Sequence, residues 1–537
     1  MKKILLLSLF LSVTIVASTQ DYNWATAVSA PGGASKYVEP FDNCVDVFGN
    51  TYATGLFIKN VDFSPSITIT SNGNSRDMFL MKYLPSGTVS WVVGVGAPDA
   101  AGMEQANAVA SDADGNVYMA GHYVGTVDFG PDTVTANGMN SFFIAKYDSA
   151  GNCLWVIDAN GGGTTSDITS LIVDNQGYLI ATGGFAGSAI DFGGTTLDPG
   201  IGWDAFVAKY TTSGNLVWVT QAGDGGWFQD NGDRIACDPD DNYYLLGKYS
   251  GTAYFGQDSL VTSGFAETFI AKLDSSGSFQ WAITGIDASS PSLAAGKAIT
   301  ADNSGNVFVG GTCPDQTVFT SGTFSTTNVA GGAFLSKYNT NGVNQWVIEA
   351  DVNTGVAILG SSVNDLSHAD NDDIYAAMYS TDHQVLVYDN NGNVKCKDSL
   401  GSIYFNSIYY SPMNVAVSGM GYGSPINFGT ISLNVGGNSM LNASWQGCSG
   451  PSSIEENEKM QLEIYPNPAN TCINIVLTEI AEVNNTILLT DLSGRIIKKE
   501  KVHKHKASIS IDDLANGVYL VSSDSALFSP KKIIIQH

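Results

Sequence analysis

The sequence predicts an all-β protein in two parts, and three observations predict it. A Trp returns in steps of 67, 64, 63, 63 and 65 residues, at Trp24, Trp91, Trp155, Trp218, Trp281 and Trp346, with the same neighbourhood each time. Such a period is an internal repeat and fixes the architecture before any motif is consulted. Within each repeat apolar and polar residues alternate with the period of half-buried strands, and no segment carries a helical stripe. After Cys448 the composition breaks at Ser449-Gly450-Pro451-Ser452-Ser453, and a second strand-rich segment follows.

The unit is clearest from Gln105 to Trp155, where AVASD, NVYMAG, FFIAKYD and NCLWV read as four short strands. Asp114-Gly115-Asn116 supplies a side-chain oxygen for nearby N–H groups and then a residue free to take positive φ, which suits a tight hairpin. Its counterparts are Phe48-Gly49-Asn50, Gln176-Gly177-Tyr178, Asp240-Asp241-Asn242 and Ser304-Gly305-Asn306. Val127-Asp128-Phe129-Gly130 reads as a strand end, echoed at Val61-Asp62-Phe63, Ile190-Asp191-Phe192-Gly193, Tyr254-Phe255-Gly256 and Ile426-Asn427-Phe428-Gly429. Phe143 to Tyr147 is echoed at Phe79 to Tyr83, Phe206 to Tyr210, Phe269 to Leu273 and Phe334 to Tyr338.

A shortened sixth unit survives as Asp372-Asp373-Ile374-Tyr375, Val385 to Tyr388 and Asn391-Gly392-Asn393, with Cys396 where Trp would stand. A seventh carries Ile426 to Gly429 and Met440 to Trp445. Serial four-stranded units build either an open solenoid or a ring of blades, and a ring leaves fewer strand edges exposed. The expectation is a seven-bladed β-propeller followed by a small Ig-like β-sandwich. The units exceed the ~40–50 residues of common blades, so the surplus is expected in loops. The seventh unit lacks its Trp strand, and Asp21-Tyr22-Asn23-Trp24 is an orphan copy of one. The N-terminal strand is therefore expected to complete the last blade and close the ring.

Lys2 and Lys3, the apolar run from Ile4 to Val16, then Ala17, Ser18 and Thr19 have the order of a cleaved signal peptide over residues 1–19. That run is too short for a comfortable membrane span, and no later run is long enough for one. The propeller is expected over 20–448, a linker with Glu455-Glu456-Asn457-Glu458 over 449–458, and a final domain over 459–537. That domain is long enough to hold its own core, and an all-β sandwich is the plain expectation.

Four motifs make the final segment specific: Ile464-Tyr465-Pro466-Asn467-Pro468-Ala469, Asp491-Leu492-Ser493-Gly494-Arg495, Leu514-Ala515-Asn516-Gly517-Val518-Tyr519-Leu520 and Lys531-Lys532-Ile533-Ile534. Together they resemble the type A C-terminal sorting domain of the type IX secretion system. The resemblance implies Sec export to the periplasm and passage across the outer membrane of a Bacteroidetes-type bacterium by the type IX machinery. Removal of the domain, with surface attachment or release, frequently follows. Cys472 stands where that family more often has an apolar residue, and it is read as non-functional. Through the Asp-x-x-Gly-Asn-x-Tyr-x-x-Gly, Val-Asp-Phe-Gly and Phe-Ile-Ala-Lys-Tyr segments, residues 20–448 resemble the propeller repeat known as SBBP, fading in unit six. That family implies a fold and no single activity.

Twenty-four basic against 51 acidic residues leave a net charge of −27. This balance repels phosphate backbones and anionic lipid and speaks against nucleic acid as a partner. The basic cluster Lys498, Lys499, Lys501, Lys504 and Lys506 is confined to the sorting domain and reads as a solvated hairpin face. Seven Cys in an exported chain leave one at least outside an internal bridge. Cys44 and Cys237 occupy nearly equivalent places in units one and four, too far apart on a ring for a bridge; Cys396 and Cys448 bound the last unit and are the pair to test. No zinc-ligand spacing occurs.

Asp112, Asp114, Asp238 and Asp240, with Asp370 and Asp372, can offer oxygens to Ca²⁺, the only cofactor considered. The EF-hand Glu is absent, and hairpin turns are the preferred reading. Asp62, Asp128 and Asp191 recur by unit, which spreads them round a ring beyond the ~5–9.5 Å of a glycosidase pair. Lys82, Lys146, Lys209, Lys272 and Lys337 and the Trp series are likewise read as blade-building. His122 lies at a strand end, where a structural hydrogen bond is the preferred role over a catalytic base. Function is expected where units differ: the loops Ala97 to Glu104, Asn160 to Asp167, Gly223 to Asp233 and Asp287 to Lys297, which share one face. Trp227, Phe228 and Asp230 are the binding candidates there, since adjacent aromatics with polar neighbours suit a sugar or a protein edge.

The leading expectation is a secreted or outer-membrane-surface module that binds carbohydrate or extracellular protein. The alternatives are a propeller hydrolase or lyase acting on polysaccharide, and a structural surface component. A clustered carboxylate or His pair at one channel mouth would favour the enzyme.

Overall fold

A computed structural model describes residues 22–29, 37–72, 75–98, 104–136, 138–159, 165–200, 202–223, 230–262, 266–286, 295–314, 317–319, 322–324, 332–350, 361–379, 384–400, 403–422, 425–428, 431–433, 435, 439–445, 462–477, 486–490, 496–501, 506–523 and 531–537. The signal-peptide and linker assignments fall outside them. Every regular element among these residues is a strand, and the chain divides into two compact units, Met1–Ser449 and Gly450–His537.

In the first unit seven antiparallel sheets follow one another, each built on a four-strand meander. Their innermost strands are Tyr37–Val45, Gln105–Ser111, Thr165–Val173, Asn231–Cys237, Ala295–Ala301, Ser362–His368 and Ile403–Ser411. Each inner strand touches the next, and the last touches the first. The apolar core is divided in the same way. Cys44, Met78 and Leu80 of the first sheet pack with Val109, Met119 and Phe143 of the second, and Trp24, Val28 and Met440 of the seventh pack with Val38, Phe57 and Phe79 of the first. Burying both faces of every sheet against its neighbours gives strands their near-continuous burial and gives the ring its main stabilisation.

The seventh sheet is built of Ile403–Ser411, Asn414–Gly421, Ser439–Trp445 and Tyr22–Ser29, and the first unit's ribbon, Asn60–Ser64 with Ile67–Thr70, adds to its edge through the Ser29–Asp62 pair. Trp24 pairs with Ser444 and Val28 with Met440, so the chain's two ends meet in one sheet. The expected closure by the N-terminal strand is what these pairs form.

A cross-strand row explains the repeat's Tyr, Lys and Trp. In the second sheet Tyr118 pairs with Lys146, and Lys146 with Trp155. Tyr52, Lys82 and Trp91, then Tyr244, Lys272 and Trp281, repeat the row. Each Trp then grips the outer hairpin turn of the next sheet. The Trp91 indole N–H donates to the Ser149 carbonyl at 3.1 Å, and that of Trp218 to Ser275 at 3.2 Å. Gly277 in that turn has φ of +83°, and a Cβ there would stand 2.7 Å from the Trp218 ring, so only Gly allows the contact. Lys82 Nζ donates to the same Ser149 carbonyl at 3.1 Å.

Unit six departs from this row for a topological reason. Cys396 pairs with Val387 in the Trp register. The seventh sheet has no outer hairpin turn to grip, because its two outer strands come from opposite ends of the chain. Cys396 is disulfide-bonded instead. Cys448, the partner to test, lies outside the described residues, and Cys44, Cys153, Cys237 and Cys472 carry free thiols.

The Val-Asp-Phe-Gly segments differ from expectation. They do not end a sheet strand; Thr126–Asp128 pairs with Thr133–Thr135 as a separate two-stranded ribbon, repeated in other units. The reason is packing, since Val127 and Phe129 are buried, with the Phe129 and Phe143 rings 5.1 Å apart. In the units that carry it, part of the surplus length is this ribbon rather than loop.

In the second unit, a sheet ordered Leu462–Tyr465, Cys472–Leu477 and Lys506–Ser510 and a four-stranded sheet around Thr486–Thr490 share one core of Ile473, Ile475, Ile487, Leu489, Val521 and Ile533. The first and last of the four motifs are clipped together. Asn467 accepts the Ile534 N–H at 2.8 Å and donates to the Lys532 carbonyl at 3.2 Å. Tyr465, Pro466, Pro468, Lys531 and Lys532 are exposed. Asn516 accepts the N–H of His537 at 2.8 Å, the Tyr519 hydroxyl donates to the Ala515 carbonyl, and Gly517 opens the strand that holds Tyr519. Gly494 and Arg495 lie outside the described residues.

Candidate functional site

All seven inner strands carry a β-bulge at one register, where two residues oppose one on the second strand. The inserted residues are Phe41, Asn107, Thr169, Asp233, Lys297, Asn364 and Asn406. A bulge re-aims a side chain out of the pleat, and all seven line a single cavity of about 460 Å³. In six of the seven sheets a second-strand Gly faces the bulge and leaves room for it, with Met378 in that place in the sixth. A Cβ on Gly183 would stand 1.9 Å from the Asp167 carbonyl, and one on Gly121 2.0 Å from that of Gln105. The backbone is thus constant while the side chains differ in size, polarity and charge.

One residue further along each strand lies a second ring, in a narrower cavity of about 250 Å³ containing Asp42, Ser170, Arg234 and Asp365. Here polar side chains stitch neighbouring strands. Asp42 accepts the Val109 N–H at 2.9 Å, Asp365 the Ile408 N–H at 2.9 Å and Ser170 the Ile235 N–H at 3.3 Å. The Ser407 hydroxyl donates to Asp42 at 3.0 Å. Burial, then the Asp365 carboxylate, push the Asp42 carboxyl up to about 7, against the pull of the Val109 N–H and Arg234. Burial also raises Asp365, opposed first by Arg234. The Arg234 guanidinium donates to the Thr169 and Asp233 carbonyls at 3.2 and 3.1 Å.

At the wider ring His122 Nδ1 lies 3.0 Å from Asp167, which also accepts from Asn107 at 2.9 Å. Lys248 stands 3.6 Å from Asp233, and the Tyr37 hydroxyl donates to Glu39 at 2.7 Å. Beside this ring Glu104 is buried, and burial is the main cause that lifts its carboxyl to about 7.

The structure distributes the other candidates as follows. Asp112 accepts from the N–H groups of Asp114 and Asn116 and from the Tyr118 hydroxyl at 2.7 Å, with Lys146 3.5 Å away. Burial works to raise its carboxyl, and the bonds from Asn116 and Tyr118 outweigh it. Asp238 repeats this with Asp240, Asn242 and Tyr244. These carboxylates therefore hold hairpins, and among the described residues no three His, Cys, Asp or Glu side chains gather for a metal ion. Asp62, Asp128 and Asp191 cap ribbons, accepting from Thr68, Gly130 and Gly193. His368 lies 3.1 Å from Asp372 in unit six.

Trp227 and Phe228 lie outside the described residues. Asp230 is 2% exposed, and its carboxylate accepts the Ser250 N–H at 2.9 Å. Asp167, Asp233 and Lys297, the last residues of three of the variable loops, line the mouth, and sequence reasoning pointed to those loops. The ring itself was not. The signal that could have found it is the second-strand Gly that recurs in six of the seven units, at Gly55, Gly121, Gly183, Gly247, Gly311 and Gly419, opposite the bulge.

A closed ring of antiparallel sheets around a polar channel defines a β-propeller. Residues 463–536 match the family described as the secretion system C-terminal sorting domain. That domain marks the chain for export by type IX secretion to the cell surface or extracellular space, and no described helix is long and apolar enough to cross a membrane. The chain is 26% identical over 242 residues to an uncharacterized WD repeat-containing protein of Acanthamoeba polyphaga mimivirus, covering 39% of this chain and 16% of that one. It is 31% identical over 172 residues to the regulatory protein FlaEY of Caulobacter vibrioides, covering 31% and 17%. The chain thus spans about a sixth of the length of these curated relatives. The WD40 β-propeller domain of Doa1 superposes with a TM-score of 0.38 at 12% identity, over 80% of this chain and 97% of that one. At that score the likeness carries no argument; the ring of sheets itself defines the fold.

Proposed function

We propose that this chain is a surface-delivered propeller that binds a saccharide at the wide mouth of its channel, the type IX machinery supplying delivery. The observation that carries the reading is the ring of seven bulges, where identical backbones present seven side chains drawn from five residue types. Blade-building positions repeat their residues; this ring does not. The amides of Asn107, Asn364 and Asn406 each donate to a carbonyl of the next sheet, that of Ile168 at 2.9 Å, Phe405 at 2.7 Å and Pro40 at 2.5 Å; the polar capacity left to them, with Tyr404 beside them, suits sugar hydroxyls and a sugar face.

The enzyme reading has one observation in its favour, the Asp42 and Asp365 pair with a carboxyl near neutrality. Both carboxylates already accept backbone N–H groups of neighbouring strands, which ties them to ring construction. A glycan and polysaccharide array on the mature chain, with and without Ca²⁺, followed by product analysis of every hit, tests both. Binding without turnover is expected. Released product would replace this reading with the enzyme, and silence on all glycans would end it in favour of a protein ligand or a structural role.

A further inference from the structure

The charges at the mouth are unevenly placed. Arg234, Lys248 and Lys297 come from the neighbouring fourth and fifth sheets; of the acids that also line the mouth, Asp233 lies among them, Asp167 comes from the third sheet, where His122 and Asn107 hold it, and Glu39 from the first, across the ring. Lys248 has Asp233 at 3.6 Å. Lys297 differs from every other repeat-unit lysine discussed above: it is a bulge residue, part-buried, and the charged group that bears on it among the described residues is a second cation, Lys248. Burial first, and then that neighbour, lower the Lys297 ammonium below its ordinary value. An ammonium desolvated beside a like charge is a cost unless something negative arrives. The adjoining cavity, about 460 Å³, has room for a sugar ring.

We infer that the mouth takes an anionic saccharide, its carboxylate or sulfate seated between Lys297 and Lys248 and its hydroxyls against the amides of Asn364, Asn406 and Asn107. This deepens the saccharide-binding reading and rests on it. The net charge of −27 opposes an anion at long range. A screening length of about 8 Å at physiological ionic strength confines that opposition, while a contact ion pair at a part-buried site is screened less. The charged sugar is thus selected at the mouth rather than steered from afar.

The test uses the full mature chain and five probes: polygalacturonate and alginate as carboxylated polymers, carrageenan as a sulfated one, and laminarin and xyloglucan as neutral ones. Calorimetric titration is run on the wild type, Lys297→Gln, Lys297→Arg and Asn364→Ala, each first checked for an unchanged melt. The expected result is binding of at least one charged polymer and neither neutral one. Lys297→Gln should then lose about tenfold to a hundredfold, the range of a charge-assisted bond, and Lys297→Arg should retain most of the affinity. The carboxylated and sulfated arms say which anion is used, and success in either supports the inference. Neutral polymers bound as tightly as charged ones, with Lys297→Gln inert and Asn364→Ala weakened, would overturn the anion and leave the saccharide reading standing. No binding to any polymer would overturn both.

Discussion

The outer rim and the channel mouth of this ring obey opposite rules. At the rim each unit repeats the same residues because each meets the same structural demand, in which an Asp holds a hairpin, a Lys lies over an aromatic ring, and a Trp stacks on the turn Gly of the next sheet. Lys146 Nζ sits 5.0 Å from the Tyr118 ring centre, and Lys272 5.2 Å from that of Tyr244. At the mouth the backbone repeats and the side chains do not, so Phe41 and Lys297 occupy one register. Recurrence in a repeat protein therefore marks construction, and a position that varies on a repeated backbone is freed from that single demand, whether it stitches strands as Asp42 and Asp365 do or lines the mouth as Lys297 does.

The comparison is broken most severely at the ring's seam. Deleting residues 20–30 removes the outer strand of the seventh sheet and bares Trp445, which is fully buried. The melting temperature is expected to fall by on the order of 10 °C; an unchanged melt would show that the strand is not what closes the ring.

Next in size are the junctions. Trp218→Ala should cost about 3 kcal/mol, from lost packing and the lost Ser275 bond. Cys396→Ser should cost about 2–4 kcal/mol by removing a disulfide, as should reduction of the wild type. Comparable costs in denaturant titrations would show that covalent closure does at one junction what Trp does elsewhere. A Cys396→Ser variant as stable as wild type would show that the sixth junction needs no clamp.

The smallest effect is on pH. Asp42 and Glu104 have folded values of about 7, above their ordinary range, so the folded state binds more protons than the unfolded state between about pH 4 and 7. Stability from these groups is full below that window and lost as pH rises through it. Asp112 and Asp302 lie below their ordinary values, and their contribution is lost only as pH falls through the acid range. Chemical unfolding should therefore show stability declining from about pH 5 to 7.5. Asp42→Asn should flatten that decline by on the order of 2 kcal/mol; an unaltered slope would mean that Asp42 titrates normally.

The repeat period, the strand set and the closing strand were legible because each depends on local pattern: period-two alternation, Gly turns and an orphan Trp24. The ribbons were read as strand ends because Val127 and Phe129 alternate as a sheet strand does, and only packing against Phe143 separates the two cases. Asp230 looked like a ligand contact from its loop, yet a backbone N–H twenty residues away claims it. The mouth escaped because a bulge has no composition of its own. Its trace is a Gly on the facing strand, which sequence alone assigns just as well to a turn or a bend. Unit six shows how context overrides a motif, since Cys396 stands in the Trp register beside a sheet without a turn to grip.

The central claim is that construction lies at the rim and recognition at the mouth, and one paired measurement tests it most directly. Trp218→Ala and a triple mouth variant, Asn107→Ala with Lys297→Gln and Asn364→Ala, would each be melted and then titrated at about 20 °C, well below the unfolding transition, with the polysaccharide that the wild type binds. The account predicts a lowered melt with intact affinity for the rim variant, and, for the mouth variant, binding abolished with a stability loss of about 1 kcal/mol per Asn, the worth of the cross-sheet bonds of Asn107 and Asn364. A mouth variant that binds as the wild type does would contradict it.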